Sequence, residues 1–88
     1  MSYSVKISDR AKKSLKKIDK FSAGIILNWI DKRLNGCENP RLYGKGLTAN
    51  RSGEWRYRIG DYRLLVDIKD DELIILALAI KHRKHAYD

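Results

Sequence analysis

Trp55-Arg56-Tyr57-Arg58-Ile59-Gly60-Asp61-Tyr62-Arg63 is the stretch on which the fold turns. Apolar and basic residues alternate with the period of a half-buried strand, and Gly60-Asp61 is a dipeptide suited to a tight hairpin loop that needs positive φ. With that loop Ile59 pairs with Tyr62 and Arg58 with Arg63. Trp55, Tyr57 and Ile59 then share one sheet face with Tyr62, Leu64, Val66 and Ile68, and the arginines take the other face. Residues directly opposite on one face have Cβ atoms about 4.5–5.5 Å apart, so facing guanidinium groups repel, and a bound anion would relieve the cost. One strand pair thus builds the core and concentrates positive charge.

Outward from the hairpin, the chain reads as one domain spanning residues 1–88. At 88 residues it holds a single modest core. Nineteen Lys and Arg against eleven Asp and Glu give a formal charge of +8, while a hydrophobic content of 43% argues against disorder. That balance points to a polyanionic partner, with nucleic acid ahead of membrane because no basic amphipathic helix carries an aromatic anchor face. Cys37 is the single cysteine, so neither an internal disulfide nor a zinc cluster is expected. No apolar run approaches the length of a signal peptide or a membrane span, which makes the cytoplasm the expected compartment.

Tyr3 to Ser8 alternates with period two and predicts a first strand, with Ser8 as the N-cap of a helix over residues 9–19. Ala11, Leu15 and Ile18 form its inner stripe, and Lys12, Lys13, Lys16 and Lys17 its solvated face. A second helix is expected from Ser22 as cap to Asn35-Gly36, burying a broad stripe of Phe21, Ile25, Ile26, Trp29, Ile30 and Leu34. Residues 36–53 hold Pro40, Gly44, Gly46 and Gly53 beside Arg41, Lys45 and Arg51, and read as a long basic connection with little regular structure. Gly44-Lys45-Gly46 lacks the spacing of a phosphate-binding loop and reads as a turn. Asp70-Asp71 marks a further turn. The run Leu73 to Ile80 is apolar on both faces, as in an interior strand. The expectation is an α+β domain of order β-α-α-β-β-β, with an antiparallel four-stranded sheet and two N-terminal helices packed on one face. The chain closes on Lys81-His82-Arg83-Lys84-His85-Ala86-Tyr87-Asp88, read either as a basic tail or as the segment whose Arg83 and Tyr87 complete a site begun by Arg56, Arg58 and Arg63.

Gly46-Leu47, the Trp55–Arg63 stretch, and Lys81-His82-Arg83 followed by Tyr87 together resemble the RelE/ParE superfamily of bacterial toxin–antitoxin systems, and in detail its RelE branch. The similarity extends over nearly the whole chain. It implies a ribosome-dependent endoribonuclease that cuts mRNA in the decoding site without a metal or cofactor, and a cognate RelB-like antitoxin that holds it inactive. It also implies operator DNA binding by the complex, through the antitoxin. Carried over by position, Arg56, Arg58, Arg63, Arg83 and Tyr87 bind and polarise the scissile phosphate while the 2′-hydroxyl of the preceding nucleotide attacks it. Lys45, Arg51, Lys81 and Lys84 are the expected RNA contacts. Arg56 and Arg58 stand where well-known members have lysines, and a guanidinium of pKa above about 12 is a poor base. His85, close to Tyr87, is therefore the preferred proton acceptor, with His82 second. The rival readings are a ParE-like toxin that poisons DNA gyrase without cleaving RNA, and a plain RNA-binding module.

Overall fold

The computed structural model describes residues 1–46 and 54–83. Its elements are β1 (Ser4–Ile7), α1 (Asp9–Lys17), α2 (Lys20–Arg33), β2 (Lys45–Gly46), β3 (Glu54–Ile59), β4 (Tyr62–Lys69) and β5 (Ile74–His82). The strands form a five-stranded sheet in the order β1-β5-β4-β3-β2. The β3–β4 hairpin has the register its sequence dictates: Ile59 opposes Tyr62, Arg58 opposes Arg63, and Gly60 sits in the turn with φ 58°. Tyr57, Ile59, Leu64, Val66 and Ile68 are buried together beneath the helices, which add Ala11, Ile26, Ile30 and Leu34.

Two features correct the expected four-stranded antiparallel sheet. β1 pairs parallel to β5, Ser4 to Ile7 running beside Ile74 to Ala77, so the sheet is mixed. Gly44-Lys45-Gly46 is not a simple turn either, because Lys45 and Gly46 pair with Arg56 and Trp55 and form the edge strand β2. The first helix keeps its Ser8 cap, whose hydroxyl accepts from the Ala11 N–H, but it ends at Lys17 rather than residue 19. Asp19 caps the second helix in place of Ser22: its carboxylate accepts the Ser22 N–H at 2.9 Å, and that bond holds its carboxyl below the ordinary range. The helix therefore starts a turn earlier, and its apolar stripe is wider than its contact with the sheet. Ile26, Ile30 and Leu34 are buried, whereas Phe21 is 78% and Ile25 48% exposed.

The connection after α2 is ordered by aromatic packing as far as the described residues extend. Trp29 lies between Tyr57 and Tyr43, with ring centroids 5.4 and 5.9 Å away. The Tyr57 hydroxyl donates to the Pro40 carbonyl, and the Trp55 indole N–H donates to the Tyr43 carbonyl at 2.6 Å. Burial pushes the Tyr57 phenol far above its ordinary value, so it remains a neutral donor. Arg41 reaches back to the β4–β5 turn and binds both Asp70 oxygens at 3.0 Å, while the Tyr3 hydroxyl donates to Asp70 at 2.7 Å. One carboxylate thus ties the connection to the start of β1.

The Arg41 guanidinium and the Tyr3 hydroxyl hold the Asp70 carboxyl below its usual pKa. A depressed folded-state value contributes stability that is complete above the unfolded value of about 3.9 and fades as pH falls through the folded one. Denaturant titrations of wild type and Asp70→Asn should therefore differ at neutral pH and converge on acidification below about pH 4. A difference that persists undiminished in acid would show that Asp70 acts otherwise.

Candidate functional site

The face of the sheet opposite the helices carries the charge. Cross-strand pairing places Arg58, Arg63 and Lys81 in one row over β3, β4 and β5, and Lys45 beside Arg56 in the next row. Gly44, Lys45, Arg56, Arg58 and Arg63 line a cleft of about 350 Å³. Three of the expected site arginines therefore meet at one place, with Lys45 as a fourth cation. The ion pairs of Arg41 with Asp70 and of Lys69 with Asp67 lie away from the cleft lining. Such a group of cations at close quarters attracts a phosphate, which guanidinium groups bind by charge-assisted hydrogen bonds.

Gly44 is the lining residue that sequence reasoning passed over as a turn component. Its φ is +79°, and a Cβ there would stand 2.2 Å from the Arg56 carbonyl oxygen and 2.8 Å from the Trp55 indole nitrogen. Only glycine lets β2 approach β3 closely enough to bring Lys45 beside Arg56. The signal in the sequence was the bare Gly44-Lys45-Gly46, too short to read alone.

Other expected residues fall elsewhere. Arg83 is exposed, and its backbone N–H donates to the Asp61 carbonyl at 2.6 Å, which fixes the start of the tail against the hairpin turn. Its side chain is not part of the cleft lining. His82 opposes Tyr62, and the two rings meet edge-on at 5.0 Å, so the second-choice base sits on the helix side of the sheet, away from the arginines. Arg51, Lys84, His85 and Tyr87 lie outside the described residues. Among the described residues no cluster of His, Cys, Asp or Glu could hold a metal ion, and no helix is long and apolar enough to cross a membrane.

This architecture and cleft can be set beside known proteins. A family model described as the ParE toxin of type II toxin–antitoxin systems, parDE, matches residues 5–87. The chain belongs to this toxin family. Among solved structures, it is similar to the toxin–antitoxin complex RelBE2 of Mycobacterium tuberculosis, with 26% identity over 94% of this chain and 100% of that one and a TM-score of 0.82. The archaeal RelE–RelB complex of Pyrococcus horikoshii is 27% identical over 98% of this chain and 100% of that one, with a TM-score of 0.72. The isolated E. coli RelE toxin, 13% identical over 92% of this chain and 84% of that one, shares the fold at a TM-score of 0.71. No curated sequence relative matches. The chain is thus a RelE/ParE-superfamily toxin of a type II toxin–antitoxin system, and the resemblance drawn from its residues holds at that level.

In a toxin with this cleft the two kinds of lining residue respond oppositely to substitution. Gly44→Ala should lose on the order of 1–3 kcal/mol of stability from strained backbone and the clash with β3. Arg58→Gln should gain a few tenths of a kcal/mol at low salt by removing a like-charge cross-strand pair, a gain that vanishes as salt screens it. Thermal melts at two ionic strengths measure both, and an Arg58→Gln protein less stable than wild type at low salt would contradict the electrostatic reading.

Proposed function

We propose that this toxin is a ribosome-dependent endoribonuclease whose arginine cleft grips the scissile phosphate of mRNA. The observation that carries the reading is the convergence of Arg56, Arg58 and Arg63 with Lys45 on one cleft. In the proposed reaction the 2′-oxygen of the preceding nucleotide bonds to phosphorus and gives up its proton to a base. The bond from phosphorus to the 5′-oxygen breaks, leaving a 2′,3′-cyclic phosphate, and the departing 5′-oxygen takes up a proton to become a hydroxyl. Negative charge grows on the nonbridging oxygens, and preorganised guanidinium groups stabilise it where water cannot. The described lining holds no carboxylate or imidazole, the side chains that most often act as the base, and guanidinium groups are poor bases. The base in this scheme is His85 or a group of the ribosome, with Tyr87 and Arg83 completing the phosphate contacts. Need for a second component to align the substrate follows from a cleft whose described lining supplies charge but no carboxylate or imidazole.

A cognate antitoxin is the second partner. Relatives of similar size were crystallised as toxin–antitoxin complexes. An acidic antitoxin segment that orders itself across the cationic face would neutralise the repulsion among its arginines, and so repay part of its ordering entropy. In this scheme operator DNA is bound through the antitoxin, and the toxin acts in the cytoplasm. The ParE description of the matching family supports one further reading, a gyrase poison that cleaves no RNA. That activity has no chemical use for a phosphate cleft.

Arg63→Ala and Arg83→Ala should each lower mRNA cleavage by roughly 10²–10³ and abolish growth inhibition while preserving the fold, with Tyr87→Phe weaker. Primer extension after brief induction, in cells and with purified ribosomes, measures it. Cuts within codons that need ribosomes support the nuclease; intact mRNA with DNA damage and filamentation would replace it with the gyrase reading.

A further inference from the structure

The cationic row depends on an irregularity in β5 that no sequence pattern announced. Leu65 of β4 pairs with Ala79, but its neighbour Val66 pairs with Ala77, so Leu78 is an extra residue with no partner across the ladder. Side chains alternate along a strand, and an inserted residue reverses the alternation beyond it. Before the bulge Ile75 and Ala77 face the core opposite Ile68 and Val66, and after it Ile80 does so opposite Leu64. The same reversal sets Lys81 opposite Arg63 and His82 opposite Tyr62. Without the extra residue, either Ile75 and Ala77 leave the core or Lys81 turns towards the helices.

A bulge leaves backbone groups that the ladder no longer satisfies. Here the Ser8 hydroxyl donates to the Leu78 carbonyl at 3.1 Å, and the Ser8 N–H donates to the Ala77 carbonyl at 2.9 Å. The same hydroxyl oxygen accepts the Ala11 N–H at 3.1 Å as the cap of α1. Ser8 therefore joins three things: the end of β1, the first turn of α1 and the bulge of β5. Capping alone would require only an acceptor, which aspartate or asparagine provides equally well. Holding the bulge requires a donor.

We propose that Ser8 is a positioning residue for the cationic face: its hydroxyl clamps the Leu78 carbonyl and so keeps the bulge that sets Lys81 beside Arg63. The added role for Lys81 rests on the nucleic-acid reading of the cleft, whereas the clamp does not. Lys81 extends the Arg58–Arg63 row to a third strand and supplies one more contact for a phosphate backbone, while Ser8, on the opposite side of β5, touches no substrate.

Substitutions that separate acceptor from donor test this. Ser8→Thr keeps both functions, Ser8→Asp keeps the cap and has no proton to donate at neutral pH, and Ser8→Gly loses the donor at little capping cost. Two readouts apply: the cross-strand nuclear Overhauser effect between the backbones of Arg63 and Lys81, and the salt dependence of binding to a single-stranded oligo-2′-deoxyuridylate, which lacks the attacking hydroxyl. Wild type and Ser8→Thr should show the cross-strand effect; Ser8→Asp and Ser8→Gly should lose it. Their slope of log affinity against log salt should shallow by about 0.7, the value of one phosphate contact on a single strand. Lys81→Gln should shallow it equally, and adding Ser8→Asp should then change nothing more. Persistence of the Arg63–Lys81 effect in Ser8→Asp and Ser8→Gly overturns the clamp, whether or not the oligonucleotide binds. Loss of the effect with an unchanged slope, or with further shallowing in the Lys81→Gln background, overturns the link from Ser8 to the cationic face. Absence of oligonucleotide binding by wild type removes the nucleic-acid reading and with it the role given to Lys81, and leaves the clamp to be decided by the cross-strand effect.

Discussion

Arg58 faces Arg63 across the β3–β4 hairpin because a turn at Gly60-Asp61 permits no other pairing, and the rest of the structure is arranged around that enforced proximity. The repulsion is affordable. A like-charge cross-strand pair costs a fraction of a kcal/mol to about 1 kcal/mol. On the opposite face of the same two strands, Tyr57, Leu64, Val66 and Ile68 are each nearly fully buried, and each such side chain contributes about 1.5–3 kcal/mol. Packing therefore wins over electrostatics several times over, and the core can hold a charge cluster that would disperse on a less constrained surface.

Other elements add to the same concentration of charge. Gly44 lets β2 close on β3, which delivers Lys45 next to Arg56, and the Trp29–Tyr43–Tyr57 cluster with the Trp55 indole bond secures the segment that leads into β2. At the far end of the sheet the acidic β4–β5 turn is tied down by Arg41 and Tyr3, so Asp70 is matched locally and stands apart from the cleft. The cations that remain clustered belong to β2, β3, β4 and the end of β5. This separation leaves a basic cleft on the sheet, distinct from the exposed lysines of α1.

The central hairpin was legible because period-two alternation and a Gly-Asp turn constrain each other: a slip of one residue would expose Tyr57 and bury Arg58. The helices were legible in kind and nearly in extent, and Ser8 as a cap was legible from its place before an amphipathic run. Alternation says nothing of which strands are neighbours, so the parallel pairing of Ser4–Ile7 with Ile74–Ala77 was out of reach. The width of the α2 stripe was misleading for a physical reason: Phe21 is apolar but left exposed, and Ile25 only lines a hollow beside Ile59 and Tyr62, which hydrophobicity alone cannot reveal. Within the candidate site, Arg56, Arg58, Arg63 and Lys45 could be found because each occupies a regular strand position. Lys81 reaches its row only through the bulge at Leu78, and a continuous run of apolar residues carries no mark of where a bulge falls.

A family of toxins that shares one fold leaves chemistry to the surface, and here the described cleft lining offers converging guanidinium groups with no carboxylate or imidazole among them. The account stands on those groups acting as one phosphate site. Titration of inorganic phosphate into the toxin, followed through the side-chain Nε–H resonances of its arginines, measures this most directly. Arg56, Arg58 and Arg63 should shift together along a single saturable isotherm while Arg10 and Arg33 stay still. Independent isotherms for the three, or a uniform drift of every arginine with ionic strength, would contradict a shared site.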